Sequence, residues 1–473
     1  MYIFASIPVI IYVFVILFLL YNELIFRKTH GRPSARDTAL GRSYFGAIVI
    51  AMTLIGSNLG PADTIGLSEE GAKYGFFFLI FPFFAGLQHI IAGKFFAHKI
   101  AFQSGDCITM GDKMKHSITK STRVIVGIIT VLQALAFTGI LTLAGGQVLE
   151  SLYNVPITIG VLITAIFVAI YSYAGGMNAI IKTDVVQFWI IVGVAIIAIV
   201  TATLIIINNI NVIEGHIFWQ PGGGDFTPKS LIALVIAYFL GEAFLPMYTI
   251  RAYISKKPRD ASRAFTIFGI AIILYYAIMI YIGVSSNLVK DDAFISEIVL
   301  VKVISSLTGI IWLKWILAGL AFTALLSLTH STLDSVLNAG ASALAIDILK
   351  PFIEFTNAQL EKQIKNGLIL IALFGTVFSL VSDNLIEILL IGYTIWVPTV
   401  VFPFAYIIMK QNKVRSNYST IWGITGGVIG YFAAEIFLNE LWIPSILIGF
   451  ISNASMFLLC ELASIGKKKV AIN

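Results

Sequence analysis

The chain has 473 residues, of which 58% are hydrophobic and 12% charged, with a net charge of +6 and a mean hydropathy of +0.93. Soluble domains carry about 25% charged residues, so these proportions exclude a string of water-soluble domains and require an integral membrane protein. The positive balance does not mark a nucleic-acid binder, because the basic residues are scattered between apolar runs, as membrane topology demands.

In chain order, the first apolar run, 6–24, has no basic residue before it and no small-residue cleavage site after it, while Arg27, Lys28 and Arg32 follow. It reads as a retained helix and not a signal peptide. Runs of roughly 18 or more apolar residues predict twelve further spanning helices, near 43–68, 74–98, 123–150, 156–176, 183–207, 230–250, 264–286, 312–346, 365–382, 386–409, 418–437 and 442–462. With the N-terminus outside, every Lys and Arg except Lys73, Lys229, Lys290, Lys302 and Lys314 falls on the cytoplasmic side. That asymmetry predicts N-terminus out and C-terminus in. Cys107 and Cys460 stand far apart and have neither disulfide nor metal-ligand spacing. No soluble domain is expected at either end.

The second predicted helix reads "AMTLIGSNLGPADTIGLSEEGA", with Gly56, Gly60 and Pro61 at mid-span. Pro61 lacks an amide donor and would crowd the Ser57 carbonyl, so the helix is expected to kink or break there. Packing would explain the glycines, but Asn58 and Asp63 beside the break favour a binding site. Between the fifth and sixth helices lies "YAGGMNAIIKTDVVQ", which places Asp184 within apolar register. A carboxylate at membrane depth costs about 2.5–3.5 kcal/mol and needs a partner or a task. The second to sixth and seventh to eleventh helices form two sets of five. An odd number per set opposes their orientations, as in inverted-repeat transporters. Between the sets, "FWQPGGGDF" predicts a turn-rich external loop.

The ninth helix carries Ser327, Ser331, Asp334, Ser335, Asn338 and Ser342 at spacings of three and four, one stripe of an α-helix, flanked by Thr332. Its hydroxyl and carboxylate oxygens suit a small, hard cation. Small residues could serve helix packing instead, yet packing requires no carboxylate.

These segments resemble the sodium:solute symporter family, which includes sodium-coupled sugar, proline, pantothenate and sialic-acid transporters. The likeness covers nearly the whole chain and rests on "IGSNLGPADTIGL", "GGMNAIIKTDVVQ", "LPMYTIRAYISKKPRDASRA" and "STLDSVLNAGASALAIDILK". It implies an all-α membrane protein of thirteen helices with a LeuT-like 5+5 inverted repeat, the first helix of each repeat broken. The expected divisions are an extra helix and basic loop (1–42), first repeat (43–207), extracellular loop (208–229), second repeat (230–409), and two C-terminal helices with a basic tail (410–473).

The resemblance further implies sodium-coupled symport of a small organic solute by alternating access in a cell membrane of the bacterial inner or plasma membrane type, with Na⁺ as coupling ion and no enzymatic activity. No obligate protein partner is inferred. Matched residue by residue, the common Na⁺ site takes the carbonyls of Gly56, Leu59 and Leu328 and the hydroxyls of Ser331 and Thr332. A second Na⁺ or H⁺ site takes Asp184, Asp334 and Ser335; the carboxylate at 334 is a departure, since a hydroxyl residue is expected there. Two neighbouring carboxylates do not both ionise cheaply without a cation between them. The solute is expected to meet Asp63, Gln88, Gln133, Tyr238, Glu242 and Tyr393, with Pro246 and Arg251 matching the family pattern. Two acids facing one cavity suggest a cationic or zwitterionic solute.

Other readings are a proton-coupled symporter of the same fold, a non-transporting membrane sensor, and an intramembrane aspartyl protease. The protease would need Tyr-Asp and Gly-x-Gly-Asp inside helices, and the "GGGD" at 222–225 lies in a predicted loop.

Overall fold

The computed structural model describes residues 2–31, 33–102, 107–209, 228–289, 296–380, 385–438 and 443–464. The first half runs α1 (Tyr2–His30), α2 (Ala35–Leu40), α3 (Ala47–Asn58), α4 (Pro61–Tyr74), α5 (Ile80–Ala92), α6 (His98–Ala101), α7 (Met110–Met114), α8 (Lys120–Tyr153) and α9 (Ile157–Asn208). The second runs α10 (Pro228–Gly241), α11 (Pro246–Tyr253), α12 (Pro258–Ser286), α13 (Val299–Ser305), α14 (Ile311–Ala343), α15 (Asn357–Val377), α16 (Leu385–Trp396), α17 (Phe402–Met409), α18 (Ser419–Phe437) and α19 (Ser445–Ala463). Most of the predicted loop at 208–229 lies outside the described residues.

Among the described residues, ten helices are long and apolar enough to cross a membrane. The predicted fifth and sixth helices run together in α9, and the second is divided between α3 and α4. The predicted tenth corresponds to α15, which carries Glu361, Lys362 and Lys365 near its start. Hydropathy marks where a run is apolar, whereas backbone geometry decides where each run bends.

Three breaks shape the molecule. At Gly176 the backbone turns to φ 55°, ψ −165°, which favours a residue without a Cβ. The carbonyls released there are taken by Arg27 of α1, which donates to Ala174 O at 2.7 Å and to Gly175 O. Glu23 holds Arg27 in place and pairs with Lys182 beyond the break, at 3.3 and 2.9 Å. The second break separates α3 from α4, and the third separates α10 from α11 through a tight turn at Glu242–Phe244.

Lipid offers no hydrophobic drive to pair helices, so close backbone approach matters more. Gly71 of α4 and Gly283 of α12 leave no space for a Cβ, so these two helices touch main chain to main chain. Near the C-terminus, a widened turn at Val397–Val401 between α16 and α17 leaves carbonyls that Asn453 of α19 caps, at 2.8 Å to Pro398 and 2.7 Å to Thr399. At the centre lies α14, nearly all of whose residues from Leu317 to Ala343 are buried.

Candidate functional site

α3 ends because the chain leaves helical geometry at Leu59 (ψ 83°) and Gly60 (ψ 160°). Pro61 then occupies the first position of α4, where a missing N–H costs little. The Gly60 amide donates to Asp63 Oδ2 at 3.3 Å. The helix expected to kink or break here is fully broken, with one helix ending and another starting.

Breaking the helix leaves the last carbonyls of α3 without their intrahelical partners. One of them, Gly56 O, accepts the Ser331 hydroxyl of α14. That hydroxyl also lies 3.0 Å from Ser327 O and 3.2 Å from Leu328 O. One hydroxyl proton is shared among three carbonyls, of which Gly56 O is the one freed by the break. Thr332 Oγ1 adds a bond to Leu328 O at 2.9 Å. Gly56, Leu328, Ser331 and Thr332 are thus linked directly, and Leu59 is buried at the break itself. Such a nest of hard oxygens is able to hold a small cation.

Gly56 also lets the second limb of α9 close in, since a Cβ there would sit 3.3 Å from Asp184 O. Asp184 is fully buried, and its Oδ2 pairs with Arg251 Nη2 at 3.1 Å. The same nitrogen donates to Ser335 Oγ at 2.6 Å, and Ser335 donates to Asp334 Oδ1 at 3.0 Å. Tyr171 donates to Asp334 Oδ2 at 2.7 Å. Asp184 and Asp334 are therefore joined through an arginine and a serine. If both ionise, two carboxylates against one guanidinium leave one negative charge over; Asp184 Oδ1 and Arg251 Nε have no hydrogen-bond partner among the described residues.

The residues expected to meet a solute gather mainly around the third break. Glu242 Oε1 accepts from Asn58 Nδ2 at 2.5 Å, and Oε2 accepts from Gln88 Nε2 at 2.8 Å, with His89 Nε2 at 3.4 Å. Gln88 Oε1 in turn takes the Ala243 amide at 2.9 Å, which fixes the turn. Tyr238 donates to Asp63 Oδ1 at 2.5 Å and packs tilted against Tyr393, ring centroids 5.1 Å apart. Gln133 stands apart: it is buried in α8, one turn from the Phe137 that packs on Tyr393, and no hydrogen bond links it to this group among the described residues. Among the described residues no group of three or more His, Cys, Asp or Glu is placed to hold a metal.

Several participants are not legible in the sequence. Arg251 stands out there only as a pattern match, and its pairing with Asp184 has no local signal. Asn58 lies beside the expected break, but nothing nearby marks it as a donor to Glu242. His89 and Tyr248, whose hydroxyl meets Asn58 Nδ2, give no signal beyond being polar residues in apolar helices.

Comparison with known proteins agrees with this architecture. A solved Na⁺-coupled sialic acid symporter, substrate-bound and outward-open, superposes with a TM-score of 0.76 at 15% identity, covering 97% of this chain and 98% of that one. A nucleobase-cation-symport-1 family transporter in a closed conformation gives 0.64 at 13% identity, covering 93% and 97%. In sequence, the chain is 22% identical to a sodium/glucose cotransporter of Vibrio parahaemolyticus, covering 64% of this chain and 61% of that protein. It is 23% identical to sodium-coupled monocarboxylate transporter 1 of Xenopus laevis, covering 71% and 56%. The chain thus spans less than two thirds of the length of these relatives. The family model for the sodium:solute symporters matches residues 39–393, most of the chain. This multi-pass membrane protein belongs to the sodium:solute symporter family.

Proposed function

We propose that the protein is a secondary active transporter that couples Na⁺ entry to symport of a small organic solute by alternating access. The observation that carries this reading is the junction at the second break, where the Ser331 hydroxyl meets the Gly56 carbonyl among the oxygens of Ser327, Leu328 and Thr332. Na⁺ replaces the missing donors there and ties α14 to the broken helix, so that ion binding and helix position are coupled. In this reading thirteen helices span the membrane with N-terminus out and C-terminus in. Repeats 43–207 and 230–409 oppose each other around the site. A 100 mV potential contributes about 2.3 kcal/mol per Na⁺, enough for roughly fifty-fold accumulation at 1.4 kcal/mol per decade.

A second cation at Asp184, Asp334 and Ser335 would neutralise the charge that Arg251 leaves over. A proton on the same pair is the other occupant consistent with that charge. For the solute, Glu242 and Asp63 accept hydrogen bonds from amides, a backbone N–H and a phenol, and neither pairs with a lysine or arginine among the described residues. A cationic or zwitterionic solute would supply the missing positive charge.

Uptake into proteoliposomes under an imposed Na⁺ gradient tests the coupling. Replacing Ser331 and Thr332 with Ala should lower apparent Na⁺ affinity at least about tenfold, some 1.4 kcal/mol, with expression preserved. Unchanged sodium dependence would sink the assignment. Competition by cationic, zwitterionic, neutral and anionic panels tests the solute class. It fails if an anion or neutral sugar binds best, or if Glu242→Gln leaves solute affinity untouched.

A further inference from the structure

The family match begins at residue 39, yet α1, which precedes it, reaches the ion centre. Tyr12 is 2% exposed, enclosed between α14 and the second limb of α9. Its hydroxyl lies 2.9 Å from His330 Nδ1 and accepts from Gln187 Nε2 at 2.9 Å. The phenol ring stacks on the imidazole, centroids 5.7 Å apart and planes 23° apart. Each partner is one step from the proposed ion ligands. His330 precedes Ser331 in α14, and its carbonyl accepts the hydroxyl of Tyr171, which also donates to Asp334. Gln187 lies one turn beyond Asp184 in α9.

We propose that Tyr12 is a positioning residue for the cation sites, so that α1 sets ion affinity from outside the repeats; this rests on the Na⁺-symport reading above. With Gln187 donating to the phenol oxygen, the phenol proton is directed to His330 Nδ1, and the imidazole is held as an acceptor on that side. This bond fixes the turn of α14 that presents Ser331 and Asp334, relative to the turn of α9 that presents Asp184. Gln187 Oε1 and Ser327 Oγ are both buried without a hydrogen-bond partner among the described residues. The other end of α1 acts on the same helix, since Arg27 caps the carbonyls at the α9 break.

Full-length protein in proteoliposomes provides the test, with Na⁺ as the probe. Tyr12→Phe keeps the ring and removes the hydroxyl. Its Na⁺ half-saturation should rise about fivefold, the size of one lost buried hydrogen bond, while solute affinity at saturating Na⁺ holds and the protein stays folded. His330→Leu should reproduce that shift, and His330→Asn, which keeps an acceptor near the Nδ1 position, should restore most of it. The proposal is overturned if Tyr12→Phe leaves Na⁺ half-saturation unchanged, if it lowers stability alone, or if His330→Asn and His330→Leu behave alike. Absence of Na⁺ dependence in the wild type would instead overturn the symport reading.

Discussion

Two places in this molecule contain two aspartates and one arginine, and they are finished differently. Just beyond α14, in the turn Leu344–Leu349, Asp347 Oδ1 accepts from Arg123 Nε at 3.0 Å and from Thr109 at 2.8 Å. Asp112 Oδ1 takes Arg123 Nη2 at 3.2 Å and Lys115 at 3.4 Å, and its Oδ2 takes the Ile108 amide at 3.2 Å. Lys115 makes the count of charges even. At the centre, Asp184, Asp334 and Arg251 have no second cation among the described residues, and a carboxylate oxygen and a guanidinium nitrogen stay unpartnered. Leaving buried polar atoms unpaired costs free energy. A cluster that completes its bonds is suited to hold α7, α8 and the end of α14 together; one that does not is suited to receive an ion.

The sharpest way to break this contrast is to remove each arginine. Arg251→Ala strands two buried carboxylates and should cost about 3–5 kcal/mol, seen as loss of monodisperse protein on mild heating. Adding Asp184→Asn to Arg251→Gln should recover much of it. Arg123 is 15% exposed at its side chain and has Lys115 nearby. Water and that lysine can compensate, so Arg123→Ala should cost only about 1–2 kcal/mol. Equal losses at the two positions would erase the distinction between the clusters.

A smaller effect sharpens it. If the central pair holds a second Na⁺, Asp184→Asn should lower the Hill coefficient for Na⁺ toward one; if it holds a proton, the mutation should flatten the pH dependence of uptake. Asp347→Asn, in the completed cluster, should leave the Hill coefficient where it was. A wild-type profile for Asp184→Asn would assign Asp184 to the salt bridge with Arg251 and nothing more.

Part of this arrangement is legible in the amino-acid sequence. Helical spacing alone puts Ser331, Asp334 and Ser335 of α14 on one face, because a 3.6-residue period is a local property. Gly60 and Pro61 mark the break of the second helix for an equally local reason, since proline starts a helix more easily than it continues one. Glycine at 176 is likewise the residue type that a positive φ favours, although hydropathy gives no hint that the chain turns there.

What pairs with each buried acid was decided by tertiary structure. Arg251 reaches Asp184 across 67 residues of chain, and Asn58 reaches Glu242 across 184. No periodicity carries information over such distances. The choice falls to packing, in which buried polar groups take whichever donors the neighbouring helices present. The expectation of two acids sharing one ion arises because a sequence displays charges without their partners. Folding brings an arginine and a serine between them.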